Sequence, residues 1–207
     1  TGNAATAPEL RSLASAAAEI GSLLIVDEAY GEFLGQETGS AISLVNTSPN
    51  VAVTRTLSKA FGLAGLRLGY CVTSAEIVAG LRIVRLPYHL SAVTQAAATV
   101  AVESAAALLA PVATLRQQRG VLQQWARANG LQHSDSEANF VYLGRFADSG
   151  DIWQQCLDAG VLVRQSGPDG WLRVSVGTHA ENEQFMTVMS QIMARQNVLT
   201  DPRDSPS

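Results

Sequence analysis

Lysine is nearly missing from this chain of 207 residues: of its 14 basic residues only Lys59 is a lysine, and the rest are arginine. Arginine neither forms a Schiff base nor gives up its proton near neutral pH, whereas a lysine amine does both. Lys59 is therefore a candidate reactive group, against the plainer reading that one lysine survived in an arginine-biased composition. Positive charge is also scarce overall. The formal net charge of −4 leaves no basic footprint for nucleic acid and no polybasic patch for anionic lipid. Long apolar runs are lacking; a stretch such as residues 23–26 is strand-sized, far short of a bilayer span. No basic-then-apolar signal segment opens the chain. The two cysteines, Cys71 and Cys156, lie far apart, and neither they nor His89, His133 and His179 show metal-ligand spacing. We therefore expect no metal and a reduced, cytoplasmic setting. Aromatics are few, and Trp125, Trp153 and Trp171 read as packing residues.

What is present is an apolar fraction of 47%, enough for one large or two small folded domains. Residues 8–20 read as a helix with Pro8 in its first turn and Gly21 as its stop. Short apolar runs at 23–26, 51–54 and 68–72 read as strands, and Ser74 as the cap of a helix to about Leu86. An Ala-rich helix spans 91–109; Pro111 interrupts it, and a polar-faced helix runs from 112 to 128, stopped by Asn129-Gly130. Beyond it, strands at 139–143, 160–164 and 172–176 alternate with helices near 151–158 and 181–194. The grammar changes near residue 110, so residues 1–110 and 111–198 are expected to be separate domains, with 199–207 a frayed tail.

Helices alternating with short buried strands imply an α/β sheet in the first half, and ligands of such sheets sit beyond the carboxyl ends of the strands. Asp27, Tyr30, Thr56, Ser58 and Lys59 all fall at or just after expected strand ends. Singly each has a bland alternative: a turn acid, a core tyrosine, loop-capping hydroxyls.

Jointly they are more specific. Asp27-Glu28-Ala29-Tyr30, then Thr56-Leu57-Ser58-Lys59, then Arg67, and late in the chain Trp171-Leu172-Arg173-Val174-Ser175-Val176-Gly177-Thr178, resemble the fold-type I pyridoxal-phosphate aminotransferases. The resemblance covers the chain up to its tail. It implies an α/β architecture: the carboxy-terminal part of a large, mainly parallel-sheet domain with flanking helices, followed by a small α+β domain. It further implies pyridoxal 5'-phosphate held on Lys59, Asp27 paired with the pyridine nitrogen, Tyr30 on the phenolate oxygen, and Thr56, Ser58 and Arg67 on the phosphate. Arg173 would clamp the substrate carboxylate. The segments Arg85-Leu86-Pro87-Tyr88-His89-Leu90-Ser91 and Gly160-Val161-Leu162-Val163-Arg164 are similar to those of histidinol-phosphate aminotransferases. That group moves an amino group from histidinol phosphate to 2-oxoglutarate in histidine biosynthesis, and Arg164 becomes a candidate contact for the substrate phosphate. For both arginines a solvated surface charge is the plainer reading. A homodimer is implied, with a small amino donor and a 2-oxo acid as partners.

By the same resemblance a longer segment precedes Thr1-Gly2, carrying an asparagine, a phosphate-cradling helix start and a ring-stacking aromatic. The isolated chain is accordingly expected to be a weak or inactive catalyst. Other readings stay open: another aminotransferase (aromatic, for example), a phosphothreonine decarboxylase-like enzyme, or a non-catalytic remnant serving as an interaction module. A nucleotide-binding P-loop is excluded because it needs a Gly-x-x-x-x-Gly-Lys loop and the residues directly before Lys59 contain no glycine, and a serine hydrolase because no Gly-x-Ser-x-Gly elbow occurs.

Overall fold

The computed structural model describes residues 2–35 and 38–199, so the tail beyond 199 lies outside the described residues. The described residues form two compact units, one of Ala4–Ala113 and one of residues 114–199 joined by Gly2 and Asn3.

In the first unit, helix α1 (Ala7–Glu19) opens with a capping box. Thr6 Oγ1 accepts from the Glu9 N–H at 3.4 Å, and the Thr6 N–H and hydroxyl donate to Glu9 Oε2 at 2.7 and 2.8 Å. Strand β1 (Leu24–Asp27) follows, then the short helix α2 (Ile42–Val45) and strand β2 (Val51–Thr56). These two strands run parallel, in a register that sets Asp27 beside Thr54. Strand β3 (Gly69–Thr73) lies on the other side of β2 and runs antiparallel, Thr56 opposite Gly69. The mainly parallel sheet expected from the sequence is thus, in this unit, one parallel and one antiparallel pairing. The connection suits this: β2 and β3 are joined by the loop 57–68, which carries a single 3-10 turn, whereas parallel neighbours usually need a crossover helix.

The pleat sorts the side chains of this sheet. Leu24 and Val26 face the helices, while Ile25 and Asp27 point away. Val51 and Val53 are fully buried and pack with Leu10 and Ala14 of α1 and with Ala41. Burying a side chain of this size contributes about 1.5–3 kcal/mol. Helix α3 (Ala75–Val84) follows. The Ala-rich stretch, expected as one helix, is two, α4 (Ala92–Glu103) and α5 (Ala105–Leu109). The break falls at Ser104, whose N–H closes α4 on the Val100 and Val102 carbonyls and whose carbonyl accepts from Ala107 and Leu108.

The second unit comprises α6 (Pro111–Ala128, counted from Thr114), β4 (Gln132–His133), β5 (Phe140–Gly144), α7 (Ser149–Asp158), β6 (Leu172–Ser175) and α8 (His179–Leu199). Its three strands form an antiparallel sheet in the order β4-β5-β6. Leu122, Val141, Leu143, Ile152, Cys156, Leu172 and Met189 make its core. The strand expected at 160–164 is reduced to a single bridge between Arg164 and Arg173. Left-handed Gly160, which ends α7, and the positive-φ glycines 167 and 170 curl that segment, so only one residue reaches the ladder. Among the described residues no single helix is long and apolar enough to cross a membrane.

Candidate active site

The carboxyl ends of β1 and β2 carry the candidate residues of the first unit. Asp27 is the last residue of β1, on the sheet face away from the helices, and is exposed. Its Oδ1 accepts from the Ala29 N–H at 3.0 Å and from the Thr54 hydroxyl at 3.3 Å. Both bonds use one oxygen. Oδ2 is left for a further donor, the arrangement a carboxylate needs to sit against a protonated ring nitrogen. Three residues on, Tyr30 leads into a single 3-10 turn over Gly31–Phe33, and its ring packs 6.5 Å from that of Phe33.

Lys59 is exposed in the loop that leaves β2. Its ammonium stands 5.4 Å from the centroid of the Tyr30 ring, within the range of a cation–π contact. The loop is closed by its own backbone. Leu57 donates to the Leu68 carbonyl at 3.1 Å, Leu63 to Leu57 at 3.0 Å, and Gly62 to Lys59 at 3.0 Å, while the Leu57 side chain is buried. Thr56 stabilises the same closure: its hydroxyl donates to the Leu68 carbonyl at 3.3 Å and accepts from the Ser58 N–H at 3.1 Å. Arg67 is exposed at the far end of the loop in the left-handed conformation, φ 51°, with Nη1 donating to the Ala64 carbonyl at 3.0 Å.

The structure therefore groups Asp27 with Thr54, Tyr30 with Lys59, and Thr56 with Ser58, on adjoining strand ends. Among the described residues, the Arg67 side chain bonds within its own loop.

Arg164 and Arg173 belong to the second unit. Arg173 lies on β6, opposite Tyr142, and its guanidinium stacks 5.0 Å from the Phe140 ring centroid. Its Nε is buried without a hydrogen-bond partner, so the side chain keeps an unused donor. Arg164 is exposed. Among the histidines, His179 pairs with Glu183 at 3.1 Å, one turn along α8. Trp153 Nε1 donates to the Val163 carbonyl at 2.9 Å, and Trp125 packs edge-on against Phe185 at 5.8 Å.

The sequence reading gave no role to Glu28, Glu32 and Arg55, which form a buried ion cluster behind these residues. Arg55 donates to Glu28 Oε2 from Nε at 3.0 Å and from Nη2 at 2.6 Å, and to Glu32 Oε1 from Nη1 at 2.9 Å. Glu28 also accepts from the Ser40 hydroxyl at 2.8 Å and the Ala41 N–H at 2.6 Å. Burial opposes the charge on Arg55, but the two carboxylates outweigh it and hold the guanidinium pKa above its ordinary value. A signal was there to read. An arginine on a strand as buried as β2 demands an acid partner; the fold, which turns Glu28 to the same inward face as Leu24 and Val26, decides which acid it is.

Comparison with known proteins bears on this geometry. A family model for aminotransferase class I and II matches residues 1–189. The histidinol-phosphate aminotransferase of Thermobifida fusca is 52% identical over 180 residues, covering 87% of this chain and 49% of that protein. Histidinol-phosphate aminotransferase 3 of Burkholderia lata is 45% identical over 194 residues, covering 94% of this chain and 52% of its own length. The chain thus spans about half the length of these relatives. Among solved structures, the histidinol-phosphate aminotransferase of Sinorhizobium meliloti, determined in complex with pyridoxal-5'-phosphate, superposes with a TM-score of 0.77 at 24% identity, covering 95% of this chain and 55% of that one. At that identity the likeness shows a shared fold.

Proposed function

The chain belongs to the class I and II aminotransferase family, and from that premise we propose that it takes part in pyridoxal-phosphate-dependent transfer of an amino group from histidinol phosphate to 2-oxoglutarate. The observation that carries the reading is the placement of the sole lysine: Lys59 leaves β2 with its ammonium against Tyr30, while Asp27 closes the neighbouring parallel strand. The identities of the curated relatives favour histidinol phosphate as the donor.

When bound, pyridoxal phosphate supplies an aldehyde that bonds amines and a protonated ring that draws electrons from the substrate's Cα. Lys59 would hold the group through its amine and, once displaced by the substrate amine, carry the proton at Cα. Asp27 would keep the ring nitrogen protonated through Oδ2, the oxygen that Ala29 and Thr54 leave unengaged. Tyr30 would donate to the ring oxygen. Ser58, Thr56 and Arg67 would hold the phosphate; Thr56 and Arg67 would trade or share their present loop bonds to do so. Arg173, with its spare Nε donor, is proposed for the substrate carboxylate, and Arg164 for the substrate phosphate. A homodimer in the cytoplasm completes the reading.

The test exploits the single lysine. The chain is mixed with pyridoxal phosphate, reduced with borohydride, digested and mapped by mass spectrometry. The label is expected on Lys59 in preference to the chain's α-amine, and a visible absorbance band that bleaches with histidinol phosphate is expected before reduction. Label confined to the α-amine would defeat the reading that this chain holds the cofactor by itself. Bleaching by an aromatic amino acid and not by histidinol phosphate would reassign the donor.

A further inference from the structure

Arg55 sits one residue before the end of β2, on the face shared with Val51 and Val53, and its side chain is 12% exposed. A guanidinium so placed must be paired, and a single carboxylate would suffice. It has two, from two different points of one turn. Glu28 follows Asp27 directly, and Glu32 lies two residues past Tyr30. Arg55 itself precedes Thr56 and stands four residues before Lys59. The cluster members thus interleave in sequence with the candidate cofactor residues while pointing to the opposite face of the sheet.

Two glycines show how closely the backbone is fitted around this group. A β-carbon on Gly31 would stand 2.7 Å from Arg55 Cζ and 2.9 Å from Nε, so the turn carrying Tyr30 lies directly on the guanidinium. A β-carbon on Gly69 would stand 2.6 Å from the Arg55 carbonyl oxygen, so β3 presses on the same residue from its backbone side. Ser40 donates to Glu28 and accepts from Arg55 Nη2 at 3.0 Å, which closes the ring of contacts. Glu32 Oε2 is buried with no hydrogen-bond partner. The cluster therefore holds two acids on one base, and its second acid is engaged through one oxygen.

We propose that Arg55 is a positioning residue for the cofactor site. Clamped by Glu28 and Glu32 beneath Gly31, it fixes the turn that bears Tyr30 to the strand that delivers Lys59, so that amine and ring meet in one geometry. The inference rests on the cofactor reading above. Lysine could not replace it, because an ammonium lacks the planar fork that serves two carboxylates at fixed angles. A looser turn leaves the reactive amine intact but poorly oriented, and small misplacements are costly at reacting centres.

The test compares wild type, Glu32→Gln and Arg55→Lys by the ratio of pyridoxal-phosphate label on Lys59 to label on the α-amine, alongside a thermal melt. At one fixed pH the α-amine is an internal control that a general change in reagent moves equally. In Arg55→Lys the two lysine-bearing peptides are resolved by mass. We expect both variants to melt cooperatively and the Lys59 ratio to fall about tenfold, the scale of one lost charge-assisted hydrogen bond. A lowered melting temperature with an unchanged ratio in the folded protein would mean a purely structural cluster and would overturn the proposal. If Arg55→Lys does not fold, Glu32→Gln decides alone, since Glu28 still pairs the arginine. Wild type that labels Lys59 no better than the α-amine would overturn the cofactor reading and this inference together. Wild type that discriminates, with variants that match it, overturns the inference only.

Discussion

Gly31 rests on the guanidinium of Arg55 so closely that a β-carbon there would come within 2.7 Å of Cζ. The far end of a side chain can usually swing aside, but this one is held by Glu28 and Glu32 at 2.6 and 2.9 Å. Gly31→Ala is therefore expected to destabilise the first unit by about 1–3 kcal/mol, the usual cost of overpacking. Urea unfolding followed by circular dichroism would measure it; a change within error would show that the cluster can shift at no cost.

Removing an acid from the same cluster is a second probe. Glu28→Ala strips Arg55, Ser40 and the Ala41 N–H of their shared acceptor. A loss of about 1–3 kcal/mol is expected, because the Ser40 hydroxyl and the Ala41 N–H lose their acceptor while Glu32 still pairs Arg55 at 2.9 Å. Replacing Glu28, Glu32 and Arg55 together by apolar residues, so that no charge is left unpaired, should recover part of that loss in the same unfolding assay.

The Tyr30 ring and the Tyr30 hydroxyl separate by substitution. Tyr30→Phe keeps the ring under the Lys59 ammonium and the contact with Phe33, so it serves as the reference that retains both ring contacts. Tyr30→Ala removes the ring and is expected to lose roughly 0.5–1 kcal/mol from the cation–π contact in addition to packing. Equal stability of the two variants would show that the ring contact contributes nothing.

Two helix starts make an acid-dependent contribution. Glu9 Oε2 accepts from the Thr6 backbone and hydroxyl, and Glu181 Oε2 accepts from Thr178 at 2.7 and 2.8 Å in the same way. The backbone bond first and the hydroxyl bond second hold both carboxyls below their ordinary value of 4.5, outweighing a small opposing desolvation. A depressed folded pKa means the stabilisation is complete above the unfolded value and is lost as pH falls through the folded one. Melting temperature should therefore decline on acidification below 4.5, and the decline should flatten in the Glu9→Gln, Glu181→Gln double variant. An identical slope would remove the capping boxes as its source.

In the second unit, Asn182 is buried and binds both backbone groups of one residue. Its Oδ1 accepts from the Gly177 N–H at 3.0 Å, and its Nδ2 donates to the Gly177 carbonyl and to Gln118 Oε1, each at 3.1 Å. Asn182→Ala leaves these groups unpaired and is expected to cost about 1–3 kcal/mol, read from the denaturant midpoint. A wild-type midpoint would mean that water replaces all three bonds.

Much of this was legible in the residue order. Short apolar runs at 23–26 and 51–54 marked the two strands that pair in parallel, although the second runs two residues further, to Thr56. The lone lysine beyond the second strand end pointed to the reactive group, since only its amine has the chemistry. The segment at 160–164 misled because its apolar residues look like a strand, whereas Gly160 and the glycines that follow set backbone angles no ladder can use. The direction of β3 was equally hidden: an apolar run does not reveal its polarity, and only the loop that returns it to β2 decides.

Asp27 and Glu28 show where the division lies. The sequence by itself determined that two acids close the first strand and that the chain holds one lysine, for those are matters of composition and order. It could not say which acid faces outward. The ladder continues one bond past β1, from the Glu28 N–H to the Thr54 carbonyl at 2.9 Å. The pleat therefore turns Asp27 to the exposed face and Glu28 into the protein, where Arg55 meets it. Parity along a strand is local, but which face is covered depends on where α1 and the Ala41 segment pack. Tertiary structure made one acid available to a ligand and the other the anchor of the turn behind it.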